Sequence, residues 1–148
     1  MNVEKILKTD KKMPLESRTL IHLSLVHNKV GDIINSTLRP FEVSTQQFNV
    51  LRILRGQKGK PANLSTLNER MVTKMSNTTR LVDKLILKEY VDRTVCPSNR
   101  RKVEIRITEK GEKVLLQMDA AMSNAEKEIL ENLTESDLKN FNELLDKF

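Results

Sequence analysis

Residues 63–107 decide the fold of this chain: NLSTLNERMVTKMSNTTRLVDKLILKEYVDRTVCPSNRRKVEIRI. The first half of this stretch predicts two helices. Asn63 is a residue type favoured as a helix cap and precedes a short helix, and a longer helix covers about residues 75–88 after a brief turn at 72–74. A short helix, a tight turn and a longer helix have the spacing of a helix-turn-helix unit.

The second half of the stretch changes its period. Residues 90–95 and 103–107 alternate apolar and polar side chains, which predicts two strands, and the polar, basic segment 96–102 joins them. Together they predict a β-hairpin with a charged tip, and a helix-turn-helix followed by such a hairpin is a winged helix. The apolar strand residues are expected to cover the helices: Val91, Val95, Val103, Ile105 and Ile107.

Amphipathic helices flank this unit on both sides. Residues 16–38 repeat apolar side chains at steps of three and four, and Pro40 ends that helix because the residue before proline avoids helical geometry. Ser44 and Gln47 have the spacing of a capping box at the start of a second helix. After the hairpin, Thr108 begins a long helix, and further apolar periodicity from residue 134 predicts a last one. The sequence therefore predicts a mainly α fold with one small hairpin.

The charge of the chain is concentrated in its middle. Residues 50–113 carry sixteen Lys and Arg against seven Asp and Glu, whereas residues 114–148 carry three against eight. This segregation indicates a module that binds a polyanion, flanked by helices that do not touch it.

The remaining composition excludes several functional classes. No stretch approaches the ~20 apolar residues of a membrane-spanning helix, and the polar N-terminus has no signal-peptide segment. A single cysteine, Cys96, fits a reducing compartment, so we expect a cytoplasmic location. His22 and His27 cannot share one helix face, and the sequence has no phosphate loop, nucleophile motif or Cys/His cluster. We therefore expect no enzyme, metal or cofactor.

The longer helix of the helix-turn-helix begins with short polar side chains and one arginine. Such residues can approach base edges in the major groove of DNA, which is about 12 Å wide. The candidates are Ser76, Asn77, Thr78, Thr79 and Arg80, with Lys84 one turn further on. Thr78 also occupies an inward position of the same helix. Capping accounts for one of these residues but not for all five.

Further cations are placed to meet the DNA backbone or the minor groove. Lys74 and Lys88 are candidates for phosphate contacts, which give affinity without sequence information. The hairpin tip carries Asn99, Arg100, Arg101 and Lys102. Arginine at such a tip is attracted to narrow minor grooves.

The run from residue 44 to residue 111 resembles the MarR family of bacterial transcription regulators. The matching segments are TQQFNVL (45–51), NLSTLNERM (63–71), NTTRLVDKL (77–85), NRRKV (99–103) and ITEKG (107–111). The resemblance implies a homodimer that binds pseudo-palindromic operators, usually as a repressor. Many members of the family release DNA when a small molecule or an oxidant acts on them. The resemblance also implies that Arg101 enters the minor groove. Asn99 stands where the family usually has an acidic residue, so Arg101 lacks that charged partner.

The same resemblance divides one compact chain into three segments. Residues 1–40 are an N-terminal arm and dimerisation helix, residues 41–110 the winged helix-turn-helix, and residues 111–148 the C-terminal dimerisation helices. A second interpretation stays open, in which the winged helix serves protein–protein assembly without specific DNA binding. The sequence does not separate a repressor from an activator, and it identifies no effector ligand and no redox role for Cys96.

Overall fold

The computed structural model describes residues 1–73, 77–95 and 103–148. The helices are α1 (Val3–Leu7), α2 (Leu15–Leu38), α3 (Thr45–Gly56), α4 (Leu64–Arg70), α5 (Thr78–Leu87), α6 (Glu109–Leu130) and α7 (Glu135–Leu145), with a 3-10 turn at Arg39–Phe41. Strands β1 (Val91–Val95) and β2 (Val103–Ile107) form an antiparallel pair between α5 and α6. The predicted mainly α fold with a small hairpin is confirmed.

Side-chain caps fix where several helices begin. The Ser44 amide donates to Gln47 Oε1 at 2.9 Å, and the Gln47 amide donates to Ser44 Oγ at 3.2 Å, so the predicted capping box is present. Asn63 Oδ1 accepts the amide of Thr66 at 2.9 Å and so caps α4 as predicted. These bonds satisfy backbone donors that have no partner within the helix.

The hairpin is anchored to the helix-turn-helix by a bridge that the sequence did not reveal. Val91 pairs with Ile107 and Val95 with Val103. Ala62, just before α4, exchanges two backbone hydrogen bonds of 2.9 and 2.8 Å with Ile105. The expected inward packing of Val91 and Ile105 is confirmed, since both are fully buried. Val103 and Ile107 are partly buried against the same core. The prediction is wrong for Val95, which is 57% exposed because β1 is buried only at its first residue, Val91.

The core is shared between the helix-turn-helix and α6. Phe48 and Leu51 of α3, Leu85 of α5, and Leu115 and Met118 of α6 are buried in one cluster. Further along its length, α6 packs against α2. Helix α6 therefore contributes to the winged-helix core and also contacts the long N-terminal helix. No helix in the described parts of the chain is long and apolar enough to cross a membrane.

The start of α6 passes directly over the start of β1, and a glycine permits this approach. A Cβ atom on Gly111 would lie 2.1 Å from the carbonyl oxygen of Tyr90 and 2.9 Å from Cγ1 of Ile107. Since the first obstacle is backbone, a side chain at this position forces the helix away from the strand.

Gly111→Ala is therefore expected to lower the free energy of unfolding by about 2 kcal/mol or more. Urea denaturation at a fixed protein concentration measures the change. Gly56→Ala is the matched control, because its Cβ would meet no atom within 4 Å. The control is expected to leave stability unchanged or to raise it by up to about 1 kcal/mol. Equal unfolding midpoints for the two variants would contradict this account of Gly111.

Candidate nucleic-acid interface

Helix α5 has one buried face and one exposed polar face. Leu81, Val82 and Leu85 are buried against the rest of the winged helix. Asn77, at the N-cap position but without a side-chain capping bond, is exposed, as are Thr79, Arg80 and Lys84. Neither Arg80 nor Lys84 forms an ion pair with any side chain in residues 1–73, 77–95 or 103–148. This face thus offers hydrogen-bonding groups and two cations to a partner outside the chain.

Thr78 differs from its neighbours in the predicted set. Its side chain is 3% exposed, and its hydroxyl donates a hydrogen bond to Asn68 Oδ1 of α4. The physical reason is helical periodicity, since residue 78 lies on the same face as residues 81, 82 and 85. Thr78 therefore joins the two helices of the helix-turn-helix, which agrees with its inward position in the sequence.

Lys88 is also placed differently from the other predicted cations. It follows the last residue of α5, and its Nζ lies 2.9 Å from Oε2 of Glu42. This hydrogen bond lowers the pKa of the Glu42 carboxyl below its ordinary value. The charge of Lys88 is therefore already compensated within the chain, at the opposite end of α5 from Asn77.

Two contacts that sequence reasoning missed position the hairpin: an ion pair from Arg93 and a hydrogen bond from Arg106 to a backbone oxygen. Arg93 of β1 donates to Asp83 of α5 over 2.6 Å, which joins the wing to that helix. Arg106 of β2 donates to the backbone oxygen of Gly59 at 2.9 Å and to Glu104 at 3.0 Å. No local pattern signals these contacts, because their partners are mostly distant in the chain.

Several predicted residues lie outside the described parts of the chain. They are Lys74, Ser76, Asn99, Arg100, Arg101 and Lys102, together with Cys96. Within the described residues, no group of three or more His, Cys, Asp or Glu side chains could hold a metal ion.

A second surface of interest is apolar and lies away from α5. A depression of about 620 Å³ opens between α2, α6 and α7, and its apolar lining includes Val26, Val30, Leu133, Phe141 and Leu144. None of the residues of α7 is buried, and Phe141 and Leu144 are 42% and 57% exposed. An amphipathic helix with this much apolar exposure is typical of a surface that meets a partner.

The arrangement is that of a winged-helix DNA-binding protein. It consists of the short capped helix α4, the helix α5 with its exposed polar face, and a two-stranded wing that is hydrogen-bonded to α5 and to Ala62 just before α4. Residues 43–103 match the MarR family. The chain belongs to this family, and it is a DNA-binding transcription regulator.

Relatives and solved structures support this assignment along most of the chain. An uncharacterized HTH-type transcriptional regulator of Bacillus subtilis, YpoP, is 30% identical over 111 residues, which is 74% of each chain. The multiple antibiotic resistance protein MarR of Escherichia coli is 27% identical over 86% of this chain and 87% of its own. The crystal structure of apo MarR superposes with a TM-score of 0.71 at 26% identity, covering 93% of this chain and 98% of MarR. A MarR-like transcription regulator from Bacillus cereus shares the fold, with a TM-score of 0.80 at 24% identity. This superposition covers 90% of this chain and 96% of the Bacillus cereus chain. These relatives are transcription regulators rather than enzymes.

The bond between Thr78 and Asn68 yields a test of which polar residues of α5 are structural. Thr78→Val keeps the shape but removes the hydroxyl, and we expect it to lower the free energy of unfolding by about 1–2 kcal/mol. Thr79→Val alters an exposed neighbour and is expected to change stability by less than about 0.5 kcal/mol. Chemical denaturation of both variants without DNA measures the difference. The structural role of Thr78 is refuted if Thr79→Val lowers the free energy of unfolding by as much as Thr78→Val does.

Proposed function

We propose that the chain is a homodimeric regulator that binds a pseudo-palindromic operator and represses transcription. The observation that carries the proposal is the division of α5 into a mostly apolar buried face and an exposed polar face, whose cations have no acidic partner among the residues that the structure describes. Because the major groove accepts one helix, two copies of α5 related by a two-fold axis would read two half-sites.

The residues of α5 would divide their work by chemistry. Asn77 and Arg80 are proposed to contact base edges, since an amide pairs with adenine and a guanidinium with guanine. Ser76 and Thr79 would bond to bases or phosphates, and Lys84 would meet the backbone. Thr78 is proposed to hold α5 in place through α4 instead. We do not assign DNA contact to Lys88, since Glu42 already compensates its charge.

The hairpin would add contacts beside the major groove. Arg101, with Asn99, Arg100 and Lys102, is proposed to reach the minor groove, and Lys74 to meet a phosphate. The pair between Arg93 and Asp83 supports this arrangement, because it joins the base of the wing to α5.

A second copy of the chain is the proposed occupant of the apolar surface on α2, α6 and α7. Helix α7 is eleven residues long and has a capping box, yet it buries none of its residues within the chain. An isolated helix of this length is marginal in water, so packing against another protomer supplies the missing burial. The dimerisation segments are then residues 1–40 and 111–148, around a DNA-binding segment at 41–110.

Two further features complete the proposal. Ligand-responsive regulation is typical of the family, and we extend release by a small-molecule effector to this chain. A regulator of this kind acts on bacterial DNA, so we place it in the cytoplasm.

Selection from a random duplex library at near-physiological salt tests operator binding. We expect an inverted repeat with half-sites centred about 10 bp apart. Arg80→Ala should then relax the preference at one base position of each half-site. Lys84→Ala should weaken binding to all duplexes alike and lower the slope of log affinity against log salt by about 0.9 per lost phosphate contact. Lys139→Ala, in the acidic C-terminal segment, is the control and should change neither quantity. Absence of duplex binding at low salt would favour the alternative function, assembly with a protein partner.

Sedimentation equilibrium tests the proposed dimer. Phe141→Lys places a charge in the apolar surface and is expected to raise the dimer dissociation constant by about tenfold or more. Leu87→Lys makes the same change at another exposed leucine, 85% accessible at the end of α5, and should leave the constant unchanged. A dimer of wild-type strength with Phe141→Lys would place the interface elsewhere.

A further inference from the structure

A basic depression of about 380 Å³ lies on the winged helix, between α3 and the end of α4. Its lining consists of Asn49, Arg52, Ile53, Gly56, Arg70 and Val72. It is separate from the exposed side chains of α5 and from the apolar surface on α7, with which it shares no residue.

The two arginines in this depression differ from four of the six other arginines that the structure describes. Arg18, Arg55, Arg93 and Arg106 each contact a carboxylate. Within residues 1–73, 77–95 and 103–148, neither Arg52 nor Arg70 has an acidic partner. Two like charges facing one depression repel each other, and an anion bound between them is attracted by both, which offsets that repulsion.

The other lining groups suit an anion as well. The guanidinium of Arg52 lies 5.7 Å from the ring centroid of Phe48, which is buried, so the aromatic ring supports its position. The amide of Asn49 adds a hydrogen-bond donor at the same depression. Ile53 and Val72 supply an apolar margin.

We propose that this depression is an anion site that receives one phosphate or carboxylate group through Arg52 and Arg70. Guanidinium forks bind the oxygens of such groups through paired, charge-assisted hydrogen bonds. The anion has two possible sources: a phosphate of the DNA backbone, or a small anion free in solution. Arg70 ends α4, and Val72 lies in the segment that follows it along the chain toward α5. In its DNA form the inference rests on the proposed function.

The DNA source is tested by the salt dependence of binding to operator and random duplexes. Each protomer of the proposed dimer would hold one phosphate. Arg52→Gln and Arg70→Gln should therefore each lower the slope of log affinity against log salt by about 0.9 per protomer, or about 1.8 for the dimer, equally for both duplexes. Arg39→Gln is the matched control. Arg39 is exposed and has no acidic partner among the described residues. It is close in sequence to Glu42, whose carboxylate pairs with Lys88 just after the last residue of α5. The control should keep the wild-type slope.

The small-anion source is tested without DNA, by titrating the full-length protein with inorganic phosphate and, separately, with sodium acetate. The readout is the NMR shift of the arginine Nε–Hε resonances, and sodium chloride of equal ionic strength is the control. Saturable shifts that are seen with the wild type and are lost in Arg52→Gln and Arg70→Gln would establish this source. This titration decides the anion site even if the protein binds no duplex, so the site and the proposed function can fail separately.

Gly56→Leu separates a built site from a diffuse field of positive charge. A Cβ at Gly56 meets no atom within 4 Å, and leucine is a better helix former than glycine, so the variant should fold. Its side chain occupies the depression without altering charge, and we expect it to weaken anion binding as the arginine variants do. The inference is overturned if Gly56→Leu binds anions like wild type while the arginine variants do not. It is also overturned if Arg52→Gln and Arg70→Gln keep the wild-type response in both assays.

Discussion

The amphipathic character of α5 is the constraint on which the rest of the structure depends. Val82 and Leu85 are fully buried, while Arg80 and Lys84, on the same helix, are exposed. To bury the apolar face of α5 while its polar face stays exposed, the neighbouring elements must pack on one side of the helix only. Helix α3, helix α4 and strand β1 all contact α5 and provide this packing. The hydrogen bond from Thr78 to Asn68 also links the start of α5 to α4.

Helix α6 connects this arrangement to the proposed dimer surface. Leu115 and Met118 complete the core beside α3 and α5, and α6 also packs along α2. The ion pair between Arg55 and Asp119 joins α3 to α6 at the level of this core. Helix α3 contacts both α5 and α6, so it lies between them in the core. The chain therefore has continuous packing from α2 through α6 and α3 to α5, the helix proposed to contact DNA.

The sequence predicted those features that depend on local patterns. Periodicity predicted the helices and the hairpin, and the residue types at Ser44, Gln47 and Asn63 predicted caps that are present. It missed the short helix α1, which depends on the burial of Val3 and on the pair between Glu4 and Arg18. It also missed the bridge at Ala62, because such contacts join segments far apart in the chain. For the candidate site, polarity alone grouped Thr78 with its exposed neighbours, whereas helical spacing already distinguished it.

Charge pairing refines the meaning of a basic sequence. The excess of cations in residues 50–113 first indicates a broad polyanion surface. Within the described residues, acidic side chains compensate Arg55, Lys88, Arg93, Arg106, Lys110 and Lys113. These paired cations are less available to a phosphate, since a nearby carboxylate cancels much of the field that the phosphate would experience. The described cations of this segment that have no acidic partner are on the polar face of α5, in the α3–α4 depression, and at residues 58 and 60 of the loop between those two helices. Net charge thus indicates the class of ligand, and the pattern of internal pairing indicates which cations remain available to bind it.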